Sequence, residues 1–273
     1  MTFRRILLMA RMTFSEAVRA RFFSVLLLIS LGILLTANFF QQFDFGTSEL
    51  KFVLDFGFGA VRLFGTILCV VITTQVFFNE IEHRTAISIL SRDIARWEFL
   101  AGKLLGVAAL LLVFCLVTGT LLSVVLSFKE GVIQAESGEE APLLNLGEVY
   151  VFVGLQWLKF VVVAALTLCV ATLSQSSLYT MSVSFMGMLA CELQTLAGDI
   201  HADAETGLGR ALGWLMKTLV PNLQIYNLGD QLALVGVSAR VPAGTYSSIC
   251  LYSLLYVCIF FGLAVLFFRN REI

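Results

Sequence analysis

The chain has 273 residues, of which 59% are hydrophobic and 14% are charged, and its formal net charge is −1. Ordinary soluble domains carry about 25% charged residues, so this composition predicts a membrane protein. The near-neutral charge excludes a strongly basic protein that binds nucleic acid. Because apolar runs take up roughly half of the length and divide the remainder into short segments, no segment is long enough for a separate soluble domain. We therefore expect residues 1–273 to form a single transmembrane domain.

The first 21 residues have the pattern of an amphipathic helix. Phe3, Leu7 and Phe14 fall on one arc of a helical projection, whereas Arg4 and Arg11 fall on another. Residues 1–21 are thus predicted to form an interfacial helix, with arginines at the lipid headgroups and phenylalanines in the acyl boundary. The alternative is an ordinary positive flank that only sets the topology. The chain is expected to bend into the first span near residue 21.

Six apolar runs follow, and each meets or approaches the roughly 20 residues that a helix needs to cross the hydrocarbon core. They are residues 22–40, 57–78, 104–128, 149–173, 178–197 and 247–268. The predicted fold is an all-α integral membrane protein with six transmembrane helices.

The distribution of Arg and Lys predicts the orientation of these spans. Cations cluster in the N-terminal segment, in the gap 79–103 and in the tail, while the alternate gaps contain few. By the positive-inside rule, both termini and the gap 79–103 are cytoplasmic. The protein is therefore expected to be a multi-pass protein of the cell membrane, with the lipid bilayer as a partner.

Three charged residues fall clearly within the apolar runs: Arg62, Lys159 and Glu192. Each costs roughly 2.5 to 3.5 kcal/mol at the centre of a spanning helix, so they should face protein or water. Arg62 has a stem long enough to reach the outer interface. Lys159 lies near the middle of the fourth span, unless residues 149–157 form a separate interfacial helix that makes it a boundary residue. Glu192 is a candidate partner for either cation.

The gap 79–103 is unusually rich in charge for a connection between two spans. A short apolar ridge of Ile87 and Leu90 follows a charged collar, and Trp97 begins the entry to the third span at headgroup level. An apolar ridge flanked by charge suits insertion into a groove of a partner protein. A simple solvated connector remains the alternative.

The gap 198–246 is the longest and is predicted to lie outside. Leucines recur at helical spacing from Leu208 until Pro221 ends the pattern, which predicts short outer helices between spans five and six. Asp199, His201 and Asp203 stand at alternate positions but form a solvated turn more readily than a metal site. The six cysteines lack a CxxC pair and read as small apolar residues.

Three stretches resemble the permease subunits of ABC transporters of the ABC-2 type: EIEHRTAISILSRDIARWEFLAGKLLG, VPNLQIYNLGDQ and the closing FFRNREI. The resemblance extends over essentially the whole chain. It implies that segment 79–103 contains a coupling helix that sits in a cleft of a separate ATP-hydrolysing subunit. The residues that match this role are Glu80, Glu82, Arg84, Thr85, Ile87, Leu90, Arg92, Arg96 and Trp97.

No phosphate-binding loop of the form G-x-x-x-x-G-K-[ST] occurs in the chain. The chain is therefore expected to carry no catalytic residues and no cofactor, with ATP and Mg²⁺ bound by the partner ATPase. The resemblance further implies a second permease copy, identical or related, and export rather than import. The alternatives are an ATP-independent secondary carrier and a non-transporting membrane scaffold.

Overall fold

The computed structural model describes residues 2–36, 49–82, 95–137, 145–194, 220–231 and 243–269. Within these ranges every regular element is helical, which confirms the all-α prediction. The elements are α1 (Thr2–Arg19), α2 (Arg21–Thr36), α3 (Glu49–Glu82), α4 (Arg96–Ser137), α5 (Leu146–Leu173), α6 (Ser177–Glu192), a 3₁₀ helix (Gln224–Gln231) and α7 (Ala243–Arg269).

Four of these helices are long and apolar enough to cross a membrane: Leu50–Glu80, Arg96–Ala135, Leu146–Leu173 and Gly244–Arg269. A fifth span results if α1 and α2, which meet at an angle of 62°, are counted together. The predicted first and fifth spans run into residues 37–40 and 195–197, outside the described residues. The count of six spans therefore stays a prediction.

The spanning helices extend beyond the apolar runs that identify them. Helix α4 has 42 residues, and at 1.5 Å per residue it is roughly 60 Å long. The hydrocarbon core is only about 30 Å thick. Helix α4 thus projects well past the core, and the predicted span 104–128 is its middle part.

Helix α5 is the centre of the bundle. It packs against α3, α4, α6, α7 and the 3₁₀ helix. The Phe58 ring stacks on Phe152 with 3.7 Å between centroids, and the Cys69 thiol donates a hydrogen bond of 3.1 Å to the carbonyl oxygen of Phe160. Since the paired residue numbers rise together, α3 and α5 run parallel. Helix α6 returns antiparallel after the short connection at residues 174–176.

Helix α1 lies against the start of α4 at two glycines spaced four residues apart. A Cβ atom added to Gly102 would lie 2.5 Å from Cβ of Met9, and one added to Gly106 would lie 2.7 Å from the carbonyl oxygen of Ala10. Small residues at this spacing let two helix backbones approach closely. The predicted helix 1–21 corresponds to α1, and the bend occurs at Ala20. Its location at the membrane surface stays a prediction.

This close approach predicts that Gly106→Val separates α1 from α4, because the added methyl groups meet backbone that cannot move aside. We expect a loss of about 1 to 3 kcal/mol of stability, measured as a lower thermal midpoint in detergent, together with faster tryptic cleavage at Arg11 and Arg19.

The matched control is Gly131→Val on the same helix, where an added Cβ meets open space. Equal effects of the two substitutions would contradict the close packing of α1 on α4.

Candidate functional site

The two ends of the predicted coupling segment are joined by a buried ion pair. Lys103 Nζ lies 2.5 Å from Glu80 Oε1 and donates a hydrogen bond of 2.7 Å to the carbonyl oxygen of Val76. Only 3% of the Lys103 side chain is exposed, and its ammonium also lies 5.4 Å from the ring centroid of Phe99. The end of α3 and the start of α4 are thereby fixed to each other.

Arg96 ties the start of α4 to the end of α7. Its Nη1 donates to the carbonyl oxygens of Phe268, at 2.9 Å, and Arg269, at 2.7 Å. The last carbonyl groups of a helix have no partner within the helix, and a cation placed there interacts favourably with the helix dipole. Arg96, predicted as a contact residue, therefore also caps a neighbouring helix, while Trp97 beside it is 43% exposed.

The remaining coupling residues lie at or beyond the edge of the described structure. Glu82 is the last residue of α3, and its side chain is not described. Arg84, Thr85, Ile87, Leu90 and Arg92 lie outside the described residues. Their proposed contact with an ATPase stays a prediction.

Near the other end of the bundle, the three charged residues of the apolar runs line one cavity. This cavity, of about 430 Å³, lies between α3, α5 and α6, and Arg62, Lys159 and Glu192 all contribute to its wall. Sequence reasoning singled out the three residues, but their convergence depends on how each helix is rotated. Asn227 of the 3₁₀ helix adds a polar group to the same wall.

Lys159 and Glu192 form an ion pair across α5 and α6. The Lys159 side chain is 3% exposed and that of Glu192 is 23% exposed. Because α5 is continuous from Leu146 to Leu173, residues 149–157 are not a separate interfacial helix, and Lys159 lies inside the bundle. The Arg62 guanidinium lies 5.4 Å from the ring centroid of Phe152, so it is directed at protein as well as at the cavity.

Polar and apolar residues are mixed in the lining of the cavity, since Leu63 follows Arg62 and Thr66 precedes Ile67. On α3, Arg62 precedes Ile67, and on the antiparallel α6, Glu192 follows Phe185; all four line the cavity. The charged residues therefore lie toward the end that carries the 3₁₀ helix, and Ile67 and Phe185 lie toward the middle of the bundle.

Residues 220–231, the VPNLQIYNLGDQ stretch, close the cavity end of the bundle through hydrogen bonds. The side-chain amide of Gln224 donates to the carbonyl oxygen of Glu192 over 2.9 Å, and that of Gln156 donates to the carbonyl oxygen of Tyr226 over 3.3 Å. The backbone N–H of Asn222 donates to the Tyr252 hydroxyl over 2.7 Å. Helices α5, α6 and α7 are thus held together around the cavity.

Tyr226 connects the 3₁₀ helix to α7. Its side chain is fully buried, and its hydroxyl lies 2.7 Å from the Ser253 hydroxyl of α7. Burial raises the pKa of Tyr226 to about 12, so the hydroxyl keeps its proton at physiological pH. Because Ser253 donates to the carbonyl oxygen of Ile249, Tyr226 is the donor to Ser253.

Sequence reasoning singled out Glu80, Lys159 and Glu192, but it did not identify the roles of Lys103, Gly102 and Gly106 in joining helices. The sequence shows that Lys103 and Glu80 are charged. Their pairing depends on the register of α3 against α4, which the sequence does not show. Gly102 and Gly106 carry a usable signal, since glycines four residues apart in an apolar helix indicate close helix packing.

The ion pair of Lys159 and Glu192 predicts a strongly non-additive response to substitution. Lys159→Met leaves a largely buried carboxylate without its partner, which costs roughly 3 kcal/mol. Adding Glu192→Gln to Lys159→Met is expected to recover much of that loss, as measured by thermal midpoints in a double-mutant cycle.

Lys51→Met is the control, because Lys51 is an exposed cation on α3. A double variant whose loss equals the sum of the two single losses would show that the pair is not coupled.

The comparisons with known proteins point to one family. A search of the curated proteins gave no match. A family model described as "ABC-2 family transporter protein" matches residues 15–190, which include the end of α1, all of α2, α3, α4 and α5, and most of α6. This match covers more than half of the chain. The protein therefore belongs to the ABC-2 family of transporter proteins and is a multi-pass membrane protein.

Proposed function

We propose that this chain is the membrane-spanning permease subunit of an ATP-driven ABC transporter, driven by a separate ATPase subunit through segment 79–103. Membership of the ABC-2 family supports the class of transporter. The observation that carries the coupling role is the buried pair of Glu80 and Lys103, which joins the two ends of the segment.

The ion pair of Glu80 and Lys103 determines which helices receive a force that is applied to segment 79–103. A push on residues 83–94 enters the bundle at the end of α3 and at the start of α4. Because Glu80 and Lys103 hold those two ends together, the helices move as one body. Helix α7 follows through Arg96, and α1 follows through its contact at Gly102 and Gly106. The ATPase thus acts on four helices from one docking point.

The proposed arrangement in the cell membrane has six spans with both termini in the cytoplasm. Helices α2 and α6 are the first and fifth spans. Helix α1 lies in the inner interface, where Phe3 and Leu7, each more than half exposed, sink into the acyl boundary. Arginines on the same helix then reach anionic headgroups.

The complete transporter contains two permease subunits, either two copies of this chain or this chain with a related one. Each docks one ATPase, which binds the ATP and Mg²⁺. The chain performs no covalent chemistry itself. We propose export as the direction, as the family resemblance implies.

The docking role predicts the composition of the purified complex. The tagged chain, isolated in mild detergent from its native membrane, is expected to retain a polypeptide with a G-x-x-x-x-G-K-[ST] loop and to hydrolyse ATP. Ile87→Asp combined with Leu90→Asp is expected to retain at least about tenfold less of that polypeptide, because carboxylates replace the apolar anchors of the contact.

The control is Leu143→Asp combined with Leu144→Asp, the same change in a gap predicted to lie on the opposite side of the membrane. Full retention of the ATPase by the variant with substitutions at 87 and 90 would contradict docking through this segment. Loss in both double variants would point to a general effect on folding and contradict a specific role for the ridge.

A further inference from the structure

We propose that a second cavity, between α1 and α3, binds the headgroup of a zwitterionic lipid with a primary amine, phosphatidylethanolamine. Its ammonium lies at Glu16 and its phosphate at Arg19. The cavity has a volume of about 520 Å³, within the range of ligand sites in proteins. The inference goes beyond the proposed function, because binding of this lipid requires neither an ATPase nor a direction of transport.

The cavity lies beside the bend between α1 and α2. Its described lining comes from α1, from α3 and from Ala20 at the bend. Helix α1 is held tightly against α4 at Gly102 and Gly106, and a gap remains on its α3 side. Arg19 and Asn79 both line the gap and are both exposed, so the cavity opens to the surroundings of the bundle.

The wall carries one charge of each sign, three residues apart on α1. Glu16 and Arg19 both line the cavity, and side chains at this spacing on a helix are near enough to pair. They do not pair with each other in this structure. Within the part of the chain that the structure describes, Arg19 has no hydrogen bond and no ion pair. A ligand that complements this wall needs a cationic group and an anionic group a few ångströms apart.

Glu16 has partners of its own, and they leave room for a ligand. Its Oε1 accepts a hydrogen bond of 3.3 Å from the side-chain amide of Asn79. Lys103 also attracts Glu16, but the Lys103 ammonium directly contacts Glu80 and the carbonyl oxygen of Val76 instead. No described residue donates a hydrogen bond to the second oxygen of Glu16. That oxygen can accept one from an ammonium group in the cavity.

Two apolar runs place the cavity at the boundary of the hydrocarbon core. The run 57–78 of α3 is roughly 33 Å long as a helix, close to the thickness of that core, and Asn79 is the next residue. The run of α2 begins at Phe22, three residues after Arg19. Arg19 and Asn79 therefore lie where the spans leave the hydrocarbon, which is the level of lipid headgroups.

The chemistry of the wall favours ethanolamine over other headgroups. A primary ammonium has three N–H donors, so it can bind Glu16 and the side-chain oxygen of Asn79 or Gln75 together. Choline has no N–H donor and is recognised by aromatic rings, and none of the described lining residues is aromatic. An anionic headgroup would satisfy Arg19, whose guanidinium binds phosphate through two parallel hydrogen bonds, but Glu16 would repel it.

Two substitutions test the two halves of the site. Glu16→Gln removes the partner of the ammonium, and Arg19→Gln removes the partner of the phosphate. Their matched controls are Arg11→Gln, at an exposed cation of the same helix, and Asp55→Asn, at an exposed carboxylate of α3. Neither control residue lines the cavity.

The purified chain, without any ATPase, is titrated separately with the dioleoyl forms of phosphatidylethanolamine, phosphatidylcholine and phosphatidylglycerol, and bound lipid is counted by native mass spectrometry. We expect phosphatidylethanolamine to bind most tightly. Each test variant should bind it roughly tenfold more weakly, and both controls should bind it as the parent does. Glu16→Gln should also lose the preference for phosphatidylethanolamine over phosphatidylglycerol. Because that preference is a ratio within one variant, a general loss of stability does not produce this result.

Several outcomes would overturn the proposal. They are equal binding of phosphatidylethanolamine and phosphatidylcholine by the parent, and a preference over phosphatidylglycerol that survives in Glu16→Gln. Arg19→Lys keeps the positive charge, so binding no tighter than that of Arg19→Gln would also contradict the role of Arg19. Displacement of the lipid by O-phosphoethanolamine at the same concentration would assign the site to a soluble zwitterion. Since the assay contains no ATPase, its failure is distinct from a failure of the docking role.

Discussion

Two buried lysines hold the helices of this bundle in register. Lys103 joins α3 to α4 through Glu80, and Lys159 joins α5 to α6 through Glu192. In an apolar interior an ammonium group without a carboxylate is far less stable than the pair, so each pair fixes the rotation and the height of two helices. The pairs lie toward opposite ends of the bundle. The rest of the structure is arranged around these two fixed points.

The two ends serve different purposes. At the end of the bundle that contains Lys103, α1 packs tightly against Gly102 and Gly106 of α4, and Arg96 of α4 caps α7. Together with the ion pair to α3, these contacts connect four helices into one body. At the end of Lys159, the same kind of pairing leaves a cavity open, and the 3₁₀ helix closes it through Gln224 and Tyr226. Rigid connection at one end and an open cavity at the other are what a protein needs if force enters at one end and a ligand binds at the other.

The sequence predicted the features that depend on local pattern. Apolar runs of sufficient length predicted the helices around residues 57–78, 104–128, 149–173 and 247–268. The rarity of charge in the apolar runs, including the run 178–197, identified Arg62, Lys159 and Glu192. The sequence could not show that all three share one cavity, because that depends on packing such as the contact of Phe58 with Phe152. Arg96 and Phe268 are likewise too far apart in the chain for any local pattern to connect them. The structure supports the count of six spans only in part. Helices α2 and α6 each have 16 described residues, fewer than the roughly 20 that a helix needs to cross the hydrocarbon core.

The most direct test of the account is the side of the membrane to which each end of the bundle belongs. Single cysteines placed at Arg92 and Ala202 are treated with a membrane-impermeant maleimide in intact cells and after permeabilisation, with the parent chain as background. The account predicts that the cysteine at 202 reacts in intact cells and that the cysteine at 92 reacts only after permeabilisation. Labelling of position 92 in intact cells would place the end with Lys103 and Glu80 outside, where no ATPase can drive it, and would contradict the proposed mechanism.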